Sequence, residues 1–242
     1  MVIIRDEERI ARMRRISKYT SFIGMGALLV GLVLVFTNVE NVFLYQIIAL
    51  AVGWLLSQVG IYLAHRYLRS PRPDEVLDEA VKGVARDARL YHYILPAPHV
   101  LLLPSGVVVL APKWQGGNIS VEGDKWKQTG MGLRKFFGQE QLGNPTREAE
   151  TMIEAVAGAI RKHAPEVEEV PIAALIVFTS KAAQKLDLKH SRIPALHYTK
   201  VKGYLRQKKR AEVMPKEDYE AIRAAFDKQA ARVVETEHAD TA

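Results

Sequence analysis

Hydrophobic and polar positions divide the chain into two regimes. Residues 19–39 contain no charged side chain in 21 positions, and residues 41–64 none in 24, while the remainder mixes apolar and charged positions throughout. An α-helix rises about 1.5 Å per residue, so 20–37 and 44–64 are each long enough for the roughly 30 Å hydrocarbon core of a bilayer. The short polar stretch between them allows only a tight turn, which makes the two helices antiparallel neighbours. Residues 20–64 are therefore expected to form a two-helix transmembrane hairpin, preceded by a basic segment at 1–19. Ala27 and Gly31 on the first helix, and Ala49, Gly53 and Ser57 on the second, recur at four-residue spacing and suit close backbone approach. Neither span holds an Asp, Glu, Lys, Arg or His, which argues against a proton or ion pathway.

Flanking charge orients the hairpin. Arg5, Arg9, Arg12, Arg14, Arg15 and Lys18 precede it, His65, Arg66, Arg69 and Arg72 follow it, and the turn carries no lysine or arginine. The positive-inside rule places both termini in the cytoplasm of a multi-pass cell-membrane protein. A cleaved signal peptide fits poorly, because a second apolar run follows at once and no small-residue cleavage motif intervenes.

Beyond a proline-stiffened linker at 65–73, the pattern changes to short elements. Asp74 caps a helical stretch at 75–88 whose Val76, Leu77, Ala80, Val81 and Val84 share one face, with Gly83 a mild weakening. Apolar runs at 90–95, 100–103 and 107–110 read as strands, the last two joined by a turn at Pro104, Ser105 and Gly106 and buried on both faces. Seven of the 16 glycines fall within 116–143, which reads as a loop excursion with a short strand at 118–121. Asn144 and Pro145 start a helix to about residue 162. A strand at 172–178, a weaker one at 195–198, a short basic helix or loop at 200–209 and a last helix at 211–232 complete the order, with a disordered tail at 233–242. Helix, strands, helix, strand is an α/β arrangement with a central mixed sheet flanked by helices, over about 74–210.

Composition narrows the chemistry. With no cysteine, thiolate zinc sites, iron–sulfur clusters, disulfides and cysteine nucleophiles are excluded. A net charge of +7 permits contact with anionic lipid or nucleic acid. Nucleophile-elbow, phosphate-loop, dinucleotide and zinc-protease motifs do not occur, and the seven scattered histidines suggest no metal set.

The stretch from residue 98 to 119, PHVLLLPSGVVVLAPKWQGGNI, followed by Trp126 and by Asn144 and Pro145, resembles the nuclease-related domain family, a branch of the PD-(D/E)xK nuclease fold. The resemblance covers about residues 75–204 and implies a restriction-endonuclease-like domain. His99, Gly106, Lys113, Gly117, Trp126, Asn144 and Pro145 match the family pattern, and Glu79 stands where a helical acid is expected. Two positions depart from it: the strand-entry aspartate is Pro98, and the glutamate two residues before the lysine is Ala111. The residue in the place of a family glutamine is Glu148. The resemblance implies Glu79 and Lys113 as the catalytic remnant. Such a site needs Mg²⁺ on hard carboxylate oxygens, which proline and alanine do not supply. Lys113, Trp114 and Gln115 remain as a rim for binding.

Between Asp187 and Glu212 the chain carries eight cations and no acid: Lys189, Arg192, Lys200, Lys202, Arg206, Lys208, Lys209 and Arg210. Such a run suits nucleic-acid phosphates or the anionic cytoplasmic leaflet, and equally a solvated face. The expectation is a membrane-anchored, cytoplasmic nuclease-related protein with a degenerate metal site and no cofactor, binding nucleic acid or another anionic partner. Its alternatives are an Mg²⁺-dependent nuclease with a displaced carboxylate, and a structural membrane protein that organises a protein partner.

Overall fold

The structure is a computed structural model and describes residues 1–37, 40–130, 140–208 and 214–239. Two compact units emerge: an α/β unit formed by Met1–Asp6, Pro73–Gly132 and Gln141–Ala242, and a helical unit formed by Glu7–Arg72 with 133–140.

In the helical unit, α1 (Glu7–Leu34) and α2 (Val42–Leu63) are both long and apolar enough to cross a membrane, and α2 continues into a π-helical turn, Ala64–Leu68. The first helix starts well before residue 20, because the basic stretch 7–18 consists of good helix formers. The buried positions of α1 are Ile10, Ser17, Gly24 and Gly31, and those of α2 are Gly53 and Gly60, so each series steps by seven. A seven-residue seam is the period of a left-handed antiparallel pair. Backbones approach closely along it: a Cβ on Gly53 would sit 2.8 Å from the Leu28 nitrogen, and one on Gly60 would sit 3.0 Å from the Ser21 nitrogen. The Ser17 hydroxyl donates to the Gly60 carbonyl at 3.1 Å. Of the small residues expected at a seam, Gly31, Ala49, Gly53 and Ser57 lie on it, as does Gly24, which the four-residue spacing did not pick out.

The α/β unit is built on a six-stranded mixed sheet of β1 (Val2–Arg5), β2 (Arg89–His92), β3 (His99–Leu103), β4 (Gly106–Lys113), β7 (Ile172–Phe178) and β9 (Ala195–His197), in the order 1-2-3-4-7-9. Strands 2, 3 and 4 form an antiparallel meander; β1 joins β2, and β7 joins β4 and β9, in parallel. Side chains alternate between two cores, as a pleated strand requires. On one face Val100, Leu102, Val109 and Ile176 meet α4 (Pro145–His163) and α6 (Lys216–Ala239) through Val156, Ile160, Ile222 and Phe226. On the other face Leu101, Leu110, Leu175 and Val177 meet α3 (Pro73–Val81) and α5 (Tyr198–Lys208) through Leu77, Val81, Val201 and Leu205. A smaller sheet, ordered 6-5-8, adds β5 (Gly117–Gly123), β6 (Lys125–Thr129) and β8 (Ala183–Ser191).

Several expectations need correction. The basic segment, for which no element was expected, supplies an edge strand of the main sheet at residues 2–5, paired with residues 89–92. The helix expected at 75–88 stops at Val81, because Gly83 takes φ +71°, a left-handed conformation that ends helices. The glycine-rich excursion contains a hairpin turning at Gly123, φ +58°, rather than one short strand. An unexpected strand, β8, pairs with β5. The last helix continues to Ala239 through much of the expected tail, and its Ile222 and Phe226 belong to the main core.

Candidate functional site

Strand β4 and helix α4 build the first polar site. The alternation that buries Val109 and Ala111 on the α4 side places Lys113 on that same side at the strand end, 6% exposed. Its ammonium donates to Glu148 at 2.6 Å and to the Leu142 carbonyl at 3.5 Å. Glu148 sits in the first turn of α4, whose N-cap Asn144 accepts from the Arg147 backbone N–H at 3.1 Å. The Trp126 indole donates to the buried Thr146 hydroxyl at 2.9 Å, tying the β5–β6 hairpin to this helix start. Gln115 is 1% exposed; its amide N–H₂ reaches the Gln141 carbonyl at 3.4 Å, and its side-chain oxygen has no hydrogen-bond donor among the described residues. Trp114 is half-buried.

This site does not fit Mg²⁺. Pro98 and Ala111 offer no side-chain oxygen, and the ammonium of Lys113 already occupies the Glu148 carboxylate. Glu79 is elsewhere: it lies on α3, packed against the opposite face of the sheet, with a side chain 73% exposed and paired only with Lys82 among the described residues. The two residues implied as a catalytic remnant are therefore not brought together. The site's one buried cation, Lys113, is held by the Glu148 carboxylate at 2.6 Å.

The second polar cluster lies on the α3 side and was not foreseen. His92 and His99 stand directly opposite each other on β2 and β3, with Nδ1 atoms 2.7 Å apart, and His92 Nε2 is 2.9 Å from Asp78 of α3. With Asp78 ionised, His92 carries its proton on Nε2; neutral His92 then accepts at Nδ1 from the Nδ1–H of His99. Arg5 of β1 pairs with Asp74 at 3.0 Å and also with Asp78. Tyr93 follows in the left-handed region, φ 63°, uncommon for a bulky side chain, with its N–H on the Pro98 carbonyl and its ring 4.9 Å from that of His99. Both imidazoles are sealed from solvent, at 0% and 2% exposure, so the chain pins strands and helix rather than meeting substrate. The local clue was the pair of histidines placed symmetrically about the 93–98 turn. Arg5 had no local clue, since its partners lie about seventy residues away.

The basic run divides in the structure. Arg192 is paired with Asp124 and Glu150, which hold its guanidinium charge by raising its pKa. Lys189 lies on β8. Lys200, Lys202 and Arg206 share α5, with Arg206 donating to the Gly83 carbonyl at 2.9 Å. Lys208 ends that helix, and Lys209 and Arg210 lie outside the described residues.

Comparison with protein-family models, curated proteins and solved structures found no match.

Proposed function

We propose that this is a membrane-anchored protein whose hairpin crosses the bilayer twice and whose α/β unit, of nuclease-related ancestry, binds nucleic acid in the cytoplasm without cutting it. The observation that carries this is the Lys113 site: a buried lysine at a strand end, opposed by one displaceable carboxylate, with no oxygen donors at residues 98 and 111 to hold a metal. The cations of α5 supply a second phosphate contact. The seven-residue glycine seam, with large apolar side chains facing outward, supports the membrane assignment. Chain connectivity supports its topology: β1 before the hairpin and β2 after it share one sheet, so both ends of the hairpin lie on one side, and the flanking cations favour the cytoplasm.

The test uses the whole chain in detergent micelles, because a fragment starting at Pro73 would lose β1 and Arg5. Gel shifts with single- and double-stranded DNA and RNA, with and without Mg²⁺, are expected to give salt-sensitive binding and no cleavage. Replacing Lys200, Lys202 and Arg206 by glutamine should flatten the log–log salt slope by about 2 to 3, since each phosphate contact contributes roughly 0.7 to 0.9. Mg²⁺-dependent cutting would overturn the non-catalytic reading. Binding to anionic vesicles but to no nucleic acid would reassign α5 to the membrane surface.

A further inference from the structure

The two faces of the α/β unit carry opposite surfaces. On the α4–α6 face, the end of α4, the 164–171 connection and the start of α6 enclose an open groove of about 950 Å³. Ile160, Val167, Val170, Ile172 and Met214 form its apolar lining. Glu166, Glu168, Glu169 and Asp218 also line it, against a single cation, Arg161. None of these four carboxylates has an ion pair among the described residues. In a chain of net charge +7, four unpaired acids beside apolar surface form an arrangement that repels itself and is relieved by a cationic, partly apolar surface.

The opposite face supplies one. Helix α5 packs on the α3 side of the sheet through Val201 and Leu205; it leaves Lys200 and Arg206 exposed and Lys202 half-buried, with half-buried Tyr198 and Tyr204 among them. None of the three cations has an ion pair among the described residues. We propose that the acidic groove of one copy receives the α5 surface of a second copy. Because groove and α5 lie on opposite sides of the sheet, one copy cannot satisfy both by itself. The contact is head-to-tail, and such contacts build rings or open arrays rather than closed two-fold dimers. This inference does not depend on nucleic-acid binding, although nucleic acid on α5 would compete with it.

The experiment is zero-length carbodiimide cross-linking of the full chain in detergent micelles, using equal parts of ¹⁴N- and ¹⁵N-labelled protein so that mass spectrometry separates links between copies from links within one. Links between copies joining Glu166, Glu168 or Glu169 to Lys200 or Lys202 are expected, falling at least fivefold in high salt. The double variant Glu168→Lys with Glu169→Lys should lose self-association at least tenfold by analytical ultracentrifugation while keeping nucleic-acid binding. Mixing it with Lys200→Glu, Lys202→Glu protein should restore mixed oligomers, which a merely misfolded variant would not do. Absence of groove links between copies would overturn the proposal, as would self-association unchanged by either charge reversal, which would place the contact on the hairpin. Loss of nucleic-acid binding by the intact chain alone would refute the proposed function and leave this result standing.

Discussion

The two units of this protein place opposite kinds of atoms inside. In the α/β unit Leu77, Leu101, Leu110, Leu175 and Phe226 are fully buried and the charges face water, except for a few that are paired. In the helical unit Ser17, Gly24, Gly31, Gly53 and Gly60 are inside, while Phe22, Leu29, Phe43, Trp54 and Leu55 are more than half exposed. Burying leucine and phenylalanine away from water stabilises by roughly 1.5 to 3 kcal/mol each, so the first unit is driven by its apolar area. The second gains little from that source. Its helices are held by close backbone approach and by contacts that large side chains would prevent, an arrangement suited to an apolar surrounding such as the bilayer proposed above. One unit should therefore be sensitive to the loss of a buried charge partner, and the other to the gain of a methyl group.

The largest effect is expected at Arg5. Asp74 is fully buried and Arg5 pairs with it and with Asp78, so Arg5→Ala removes one charge partner of a buried carboxylate, at a cost of up to about 3 to 5 kcal/mol. Urea denaturation of the full chain in detergent, followed by tryptophan fluorescence, should show the transition of the α/β unit moving by that amount. Arg5→Lys should recover part of it, since charge is restored without the two-pronged contact. A change below about 1 kcal/mol would mean that the cluster is not a structural pin, and the contrast between the units would lose its polar half.

Next comes the seam. Gly60→Leu must displace the Ser21 backbone, and overpacking of this kind costs about 1 to 3 kcal/mol. Gly26 has nothing within 4 Å of its ideal Cβ, so Gly26→Leu on the same helix pair should be near neutral. Titration from mild detergent into dodecyl sulfate, followed by far-ultraviolet circular dichroism, separates the two variants. Equal behaviour would show that glycine spacing is not what holds the helices.

Much of this contrast was legible in the sequence, unevenly so. The two uncharged runs announced the long helices, and the apolar strand at 172–178 was read to its exact ends because nothing polar interrupts it. Local signals failed where a long-range partner decided the outcome. Residues 2–5 form a strand only because residues 89–92 return beside them, after an intervening hairpin. In β8, Leu186 and Leu188 alternate with Lys185, Asp187 and Lys189, a half-buried strand pattern masked by its charge. Lys113 was singled out by the resemblance alone; its partner Glu148 lies 35 positions away, and only the fold shows the pair. The His92–His99 contact depends on register across a turn, which composition does not display.

The smallest effect tests whether the apolar core of the α/β unit tolerates its polar handles. Tyr91 is fully buried, packs edge-on to Phe226 at 5.5 Å and donates to Asp227 at 2.8 Å. Burial first, then the neighbouring Asp227, pushes its pKa above the ordinary value near 10; burial moves Tyr219 the same way. A phenol that keeps its proton longer when folded favours the folded state fully below pH 10. Above that pH the unfolded chain sheds protons that the folded chain retains, and stability falls. Tyr91→Phe should cost about 1 kcal/mol at pH 8 through the lost hydrogen bond, and should show a shallower decline above pH 10, so the curves of the two proteins converge at high pH. Parallel curves measured by urea denaturation between pH 8 and 11 would mean that Tyr91 ionises as readily in the folded chain as in the unfolded one, and that the core of this unit is wetter than its packing indicates.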